Sequence, residues 1–378
     1  LHEQNFTGSG KIIAVIDAGF PGVNTTQPFA RLRNNNLILG GYDFVNRSSN
    51  FYSGDSHGTM VLSTMGGYMP NQLVGTAPDA AYYLFITEDV TSENPLEESL
   101  WVEAVEEADR LGVDVINTSL GYFDFDDSSY NYTYEDLNGT TSFASRGADF
   151  AYAKGMIVVV SAGNSAMSAN PYVGVPADAQ HVLTVGSVTA DGYYSSFSSI
   201  GFTSDGRVKP DVVAQGSLAV LALPNGSISA ANGTSFSSPI ICGLVASLWQ
   251  AFPSYTNEQI MQLIKESSSQ YTNPDEELGY GIPDFDLALT NGPLSITSNS
   301  VGDFKIFPNP LSETVTIAST ENNDLKSIAV YNIFGQEIYK SSLSGTISTI
   351  NLSQLSTGIY IYKVESSQGF TRGKIQKK

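Results

Sequence analysis

The sequence is short of several side chains on which fold and chemistry often rest. Its 378 residues include one cysteine, Cys242, so no intramolecular disulfide can form. Exported bacterial proteins often lack disulfides, so this removes one argument for secretion without pointing to the cytosol. Histidine occurs three times, at His2, His57 and His181, which leaves few candidates for a general base. Basic residues are scarce: 18 Lys and Arg face 38 Asp and Glu, a formal net charge of −20. A field of that sign repels nucleic acid and anionic membrane surfaces, so neither is an expected partner. No apolar run approaches the roughly 18 residues of a membrane-spanning helix, and no transmembrane segment is expected. The opening Leu1-His2-Glu3-Gln4 is neither an initiator methionine nor a signal peptide. We expect a processed chain from which a leader or pro-segment has been removed.

What is present reads as two globular units in series. The chain is 41% hydrophobic and 15% charged, with 35 glycines, the composition of a packed protein. The charge is uneven. From Ser300 onward eight Lys and Arg outnumber six Asp and Glu, a net of +2, which leaves −22 for residues 1–299.

The first unit, residues 1–290, alternates apolar runs with amphipathic segments, the pattern of an α/β fold with a parallel sheet covered on both faces. Strands are predicted at Lys11–Asp17, Val113–Ser119, Met156–Ala162 and Val182–Val188. Asn94-Pro95 opens a helix whose apolar stripe is Leu96, Leu100, Ala104, Val105, Ala108 and Leu111, and Gly112 ends it. Further helices are predicted over Phe143–Ala153 and Gly233–Phe252, and Thr256 with Gln259 forms a capping box for another. Ligands of such folds bind beyond the carboxyl ends of the strands. Residues 291–302 are polar, contain Gly and Pro and lack periodicity, so they are assigned as a linker. Residues 303–378 then change to seven short alternating segments: Phe304–Phe307, Thr314–Ala318, Ser327–Asn332, Ile338–Ser341, Thr346–Asn351, Gly358–Glu365 and Phe370–Ile375. Seven short strands in so few residues predict a small all-β sandwich.

The chemistry concentrates at four places. Asp17 ends an apolar strand and is followed by Ala18-Gly19, although many strands end in Asp at an ordinary turn. His57, in Asp55-Ser56-His57-Gly58-Thr59, opens the apolar helical stretch Met60–Met65. Ser235 lies in Asn232-Gly233-Thr234-Ser235-Phe236-Ser237-Ser238-Pro239, where Gly233 permits a tight turn and Pro239 suits a first helical turn. A serine at a helix start meets free N–H groups and a dipole that favour negative charge, and it is equally the residue of a plain helix cap. Asn164 follows the strand MIVVVSA through Gly163, and its amide can donate to an oxyanion beside the Ser235 N–H. Serine-based acyl transfer needs this set: nucleophile, base, orienting carboxylate and oxyanion donors. The chain order Asp, His, Ser distinguishes one of the three unrelated triad lineages from the other two.

With these residues named, AVIDAGF, HGTMV, SAGN and NGTSFSSP resemble the Asp, His, oxyanion-Asn and Ser motifs of the subtilase family, over about residues 1–290. The resemblance implies a three-layer subtilisin-like fold and serine endopeptidase activity. Asp17, His57 and Ser235 would form the triad, with Asn164 and the Ser235 N–H as the oxyanion hole. It further implies that Ser119-Leu120-Gly121 is the strand that pairs with an extended peptide substrate. Ala162-Gly163 would be a wall of the pocket for the P1 side chain and Gly174 its floor, leaving room for a large apolar or aromatic group. The chemistry requires no cofactor. Structural calcium is common in the family, and Asp124, Asp126 and Asp127 of the acidic, Tyr-rich stretch Tyr122–Gly139 are its candidate ligands, with a solvated loop as the plainer reading. Cys242, in an apolar run, is expected to be a core residue rather than a second nucleophile. The polar turn Asp205–Asp211 is expected to be scaffolding.

The tail carries a second resemblance. FPNP at 307–310, YNIFG at 331–335, INLSQL at 350–355, GIY at 358–360 and a basic end are similar to the C-terminal sorting domain of proteins exported by the type IX secretion system of Bacteroidetes. This implies passage to the outside or the cell surface and contact with that machinery through residues 303–378. A generic β-sandwich accessory module is the plainer alternative. A monomer is expected. A catalytically silent subtilase acting as a surface binding protein, and a transpeptidase on the same fold, remain as competing functions.

Overall fold

The computed structural model describes residues 1–292, 304–319, 324–332, 336–366 and 370–378. It divides into two compact units, Leu1–Leu294 and Ser295–Lys378. Residues 293–303, most of the assigned linker, lie outside the described residues.

The first unit is built on seven strands: β1 (Ile12–Asp17), β2 (Ile38–Asp43), β3 (Ala81–Ile86), β4 (Val115–Thr118), β5 (Ile157–Ser161), β6 (Leu183–Val188) and β7 (Val212–Gln215). They form one sheet in the order β2-β3-β1-β4-β5-β6-β7, and every pairing in it is parallel. Its central strands are apolar on both faces because both faces are covered. Ile13 and Val15 enter one core while Ala14 and Ile16 enter the other, and Ile157 and Val159 alternate with Val158 and Val160 in the same way. Each such fully buried side chain contributes on the order of 1.5–3 kcal/mol.

Helices α1 (His57–Gly66), α2 (Leu96–Arg110), α3 (Phe143–Ala153), α4 (Thr234–Ala251) and α5 (Asn257–Glu266) supply the two covering layers. Val61, Leu62 and Met65 of α1 share one core with Val245, Leu248 and Trp249 of α4 and Ile260 of α5. Leu100, Trp101 and Ala104 of α2 share the other with Ala144, Ala148 and Ala151 of α3. Two details differ from expectation. Leu96, placed in the buried stripe of α2, is exposed at the first position of the helix, and Trp101 takes an inward position, its Nε1 donating to Thr118 Oγ1. Pro239 lies in the interior of α4 rather than its first turn. The capping box at Thr256 and Gln259 forms, with Gln259 Oε1 accepting from the Thr256 N–H.

The order of strands places the active-site region. From β1 the chain builds outward to β3 and β2 on one side, and then to β4 through β7 on the other. The crevice at such a reversal lies beyond the carboxyl ends of the two strands flanking it, and β1 ends in Asp17 while β4 runs into Ser119. Scaffolding of the sheet's far side is ionic: Lys209 and Asp211 are buried, and Asp211 accepts from Lys209, Lys265 and the Thr184 N–H.

The second unit is antiparallel. Strands β8 (Phe304–Phe307), β9 (Thr314–Ser319) and β12 (Ile347–Asn351) form one sheet. Strands β11 (Glu337–Ser342), β10 (Leu325–Tyr331), β13 (Gly358–Ser366) and β14 (Phe370–Lys377) form the other. One core of Val315, Ile317, Ile328, Val330, Val364 and Ile375 is drawn from both, so the predicted sandwich is present. Residues 333–335 of the YNIFG motif lie outside the described residues.

Candidate active site

Asp17 is carried to the edge of the sheet by β1 and is 1% exposed. A burial this complete is costly for a carboxylate unless donors meet it. The Ala18 N–H donates to its Oδ1 at 2.8 Å, and His57 Nδ1 lies 2.7 Å from the same oxygen. Two glycines make that approach possible. A Cβ at Gly58 would fall 2.9 Å from Asp17 Cβ and 2.5 Å from the Gly19 carbonyl oxygen, and one at Gly19 would fall 2.4 Å from the Ser53 carbonyl oxygen. His57 opens α1, and its backbone N–H is held by Asp55 Oδ1. The charge of Asp17 raises the His57 pKa above its ordinary 6.5, against the opposing effect of burial. Among the described residues His57 is the only side chain that hydrogen-bonds to this carboxylate, so the imidazolium would be its counter-charge.

Ser235 is the second residue of α4, after Gly233 at φ 154°. Its Oγ donates to the Ser119 carbonyl at 3.2 Å, and among the described residues no hydrogen bond joins it to His57. Hydrogen bonds of this kind are often long before substrate binds. The Phe236 ring lies 5.9 Å from the imidazole. Asn164 Oδ1 accepts from both the N–H and the hydroxyl of Thr234, at 2.9 and 3.2 Å. A backbone N–H can only donate, so this fixes the amide orientation and leaves Asn164 Nδ2 as a donor beside Ser235.

Ser119, Leu120, Gly121, Ala162, Gly163, Asn164, Gly174 and Ser235 all line one cavity of about 320 Å3. The predicted oxyanion and substrate-binding residues are thus brought together with Ser235, while Asp17 and His57 do not line this cavity. Thr234, from the Ser235 motif, lines it too, as do Tyr122, Tyr172 and Ser199, which no local pattern marks. Gly174 is needed for close approach: a Cβ there would stand 3.1 Å from the Tyr122 carbonyl oxygen, where Tyr122 and Val175 exchange two backbone hydrogen bonds. The Tyr122 hydroxyl donates to Glu88 Oε1 at 2.8 Å. Burial, with Glu97 and Glu93 nearby, lifts the Glu88 pKa to about 8. Two larger clefts, one beside Tyr42 and one between α2 and α3, lack a nucleophile paired with a base.

The calcium candidates do not converge. Asp124 accepts from Asn131 Nδ2, Asp126 from the Glu93 N–H and Asp127 from the Ser129 N–H. Among the described residues no group of three or more His, Cys, Asp or Glu side chains is arranged to hold a metal ion. Cys242 is buried in the core, and burial pushes its thiol pKa well up.

A parallel sheet that carries a buried Asp-His pair, with a serine at a helix start and an amide donor lining one cavity, has the architecture of a serine peptidase. The chain belongs to the subtilase family, whose model matches residues 8–281. It is 32% identical to subtilisin NAT of Bacillus subtilis subsp. natto over 286 residues, 75% of this chain and 66% of that protein, so it spans just under two thirds of that relative. Identity to a subtilisin of Bacillus pumilus is also 32%, over 92% of that protein. Among solved structures, MycP1 with its N-terminal propeptide removed superimposes with a TM-score of 0.61 at 27% identity, covering 78% of this chain and 96% of that one. Residues 305–378 match the secretion system C-terminal sorting domain, which marks the protein as secreted or held at the cell surface by type IX secretion.

Proposed function

We propose that the protein is an active endopeptidase that hydrolyses extended polypeptides through an acyl-enzyme formed on Ser235. The observation that carries this reading is the 2.7 Å contact of His57 with the buried Asp17, the His57 ring lying 5.9 Å from that of Phe236, the residue after Ser235. A substrate strand pairs with Ser119-Leu120-Gly121 by backbone hydrogen bonds. Its P1 side chain enters between that segment and Ala162-Gly163, above Gly174, and a large apolar or aromatic group fits the space. His57 accepts the Ser235 hydroxyl proton as Oγ attacks the scissile carbonyl. Asp17 holds the imidazole tautomer and stabilises the imidazolium. The Asn164 amide and the Ser235 N–H donate to the tetrahedral oxyanion. His57 then protonates the leaving amine, and water, activated by the same imidazole, releases the acyl group. Residues 303–378 engage the secretion machinery.

The test is labelling by a fluorophosphonate probe. Labelling of the wild-type protein and its loss in Ser235→Ala are expected; a folded wild type that does not react would overturn the reading in favour of a silent binding protein.

A further inference from the structure

Pro239 stands in the interior of α4, four residues after Ser235. In a helix the N–H of residue i bonds to the carbonyl of residue i−4, and proline has no N–H. The Ser235 carbonyl therefore lacks its helical donor. Ser119 supplies one: its hydroxyl donates to the Ser235 carbonyl at 2.9 Å. That carbonyl can only accept, so the Ser119 hydroxyl proton is committed, and Ser119 Oγ must accept from elsewhere. It accepts from Asn117 Nδ2 at 3.0 Å. The amide is thereby oriented with Oδ1 toward α4, where Ser238 Oγ donates to it at 3.1 Å. Ser238 lies one turn beyond Ser235, so the hydrogen bonds close into a ring between the end of β4 and the first two turns of α4.

Asn117 and Ser238 are fully buried and Ser119 is 3% exposed; Asn117 follows the core residues Val115 and Ile116 in β4. Asn117 sits in register with Val15 of β1 and Val159 of β5, the innermost part of the sheet. A polar amide at such a position is costly unless it is paired, and here its nitrogen and its oxygen each have a partner.

We propose that Asn117 is a positioning residue for the nucleophile, acting through Ser119 and Ser238 to set where Ser235 stands against the substrate-binding strand. This rests on the reading of Ser235 as the attacking group. Ser119 then has two separate roles: its backbone carries substrate, and its hydroxyl carries the register of α4. Pro239 is the complementary part, since it leaves the Ser235 carbonyl for Ser119.

The test compares Ser119→Ala, Ser238→Ala and Pro239→Ala with wild type on one peptide substrate, with thermal unfolding measured alongside. The two serine variants should lose kcat by about ten- to a hundredfold, the scale of a nucleophile displaced by up to about 1 Å, with KM changed less than about twofold. The double variant should be little worse than the poorer single, because both break one ring. Ser119→Thr, which keeps the hydroxyl, should recover most of the loss. Pro239→Ala returns a helical donor to the Ser235 carbonyl and draws it from Ser119. It should lower kcat while the midpoint of unfolding holds or rises, an outcome no merely structural role produces. Wild-type kcat in folded Pro239→Ala, or a serine variant that changes KM alone, overturns the proposal. An inert wild type overturns both readings together, whereas an active wild type with unimpaired variants overturns only this one.

Discussion

His57 Nδ1 and Asp17 Oδ1 stand 2.7 Å apart, with the carboxylate almost wholly buried and the imidazole partly exposed. The charge of Asp17 favours the imidazolium, the form through which the proposed mechanism passes. Its consequences can be measured.

The first concerns pH. His57 must be neutral to take the Ser235 proton, and its pKa is raised above 6.5. Plotted against pH, kcat/KM should rise through that elevated value and then level. Asp17→Asn should move the limb to lower pH and reduce kcat by about 10⁴-fold. The sign for stability is opposite: the ion pair contributes fully below 6.5 and its contribution fades as pH climbs through the raised pKa. A profile for Asp17→Asn with an unchanged limb would count against the assignment.

Asn164→Ala should lower kcat by about 10²–10³-fold with KM little changed, because the amide acts on the oxyanion and not on bound substrate. Steady-state kinetics on a peptide amide checks this. Asn164→Asp should be no better, since a carboxylate offers no donor.

At Gly174 any side chain meets the Tyr122 carbonyl. Gly174→Val should shift cleavage from large to small P1 residues, as read by profiling a proteome-derived peptide library. Retention of aromatic P1 cleavage in the variant would mean that Gly174 does not floor the pocket.

Glu88 makes the fold pH-sensitive for a different reason. Its carboxyl accepts from Tyr122 and Thr87, and its pKa is lifted from 4.5 to about 8. The folded state therefore holds a proton that the unfolded chain releases. The penalty is absent below about pH 4.5, grows as pH rises, and is complete above about pH 8. Glu88→Gln keeps an acceptor for Tyr122 and removes the charge, so it should stabilise the protein at pH 9 by about 2–4 kcal/mol and leave it nearly unchanged at pH 4. Denaturant unfolding at the two pH values decides it.

Much of this molecule is legible along the chain because its signals are local. The strand Ile157–Ser161 announces itself as an unbroken β-branched run, and α3 coincides with the predicted Phe143–Ala153. The seven strands of the sorting domain follow from alternation between turns. Leu96 fits the apolar periodicity of α2 and is nonetheless exposed, because periodicity alone does not say which end residues of a helix are covered. Pro239 was misplaced because an interior proline is tolerated only where another group takes over its missing hydrogen bond, and Ser119 is 116 residues away from the carbonyl it serves. Asn117 did carry a signal, an amide directly after the core residues Val115 and Ile116, but its meaning depends on partners from α4.

The sequence by itself determined the family, the two-unit organisation and the four catalytic candidates, because motif order and short-range periodicity survive in one dimension. Only the tertiary structure decided how those candidates are held. The Asp17–His57 contact, the free donor on Asn164, the uplifted Glu88 and the ring through Asn117 all join residues distant in sequence. They come together because a parallel sheet brings strand ends from across the chain to one edge, and burial there makes each hydrogen bond costly to leave unmade.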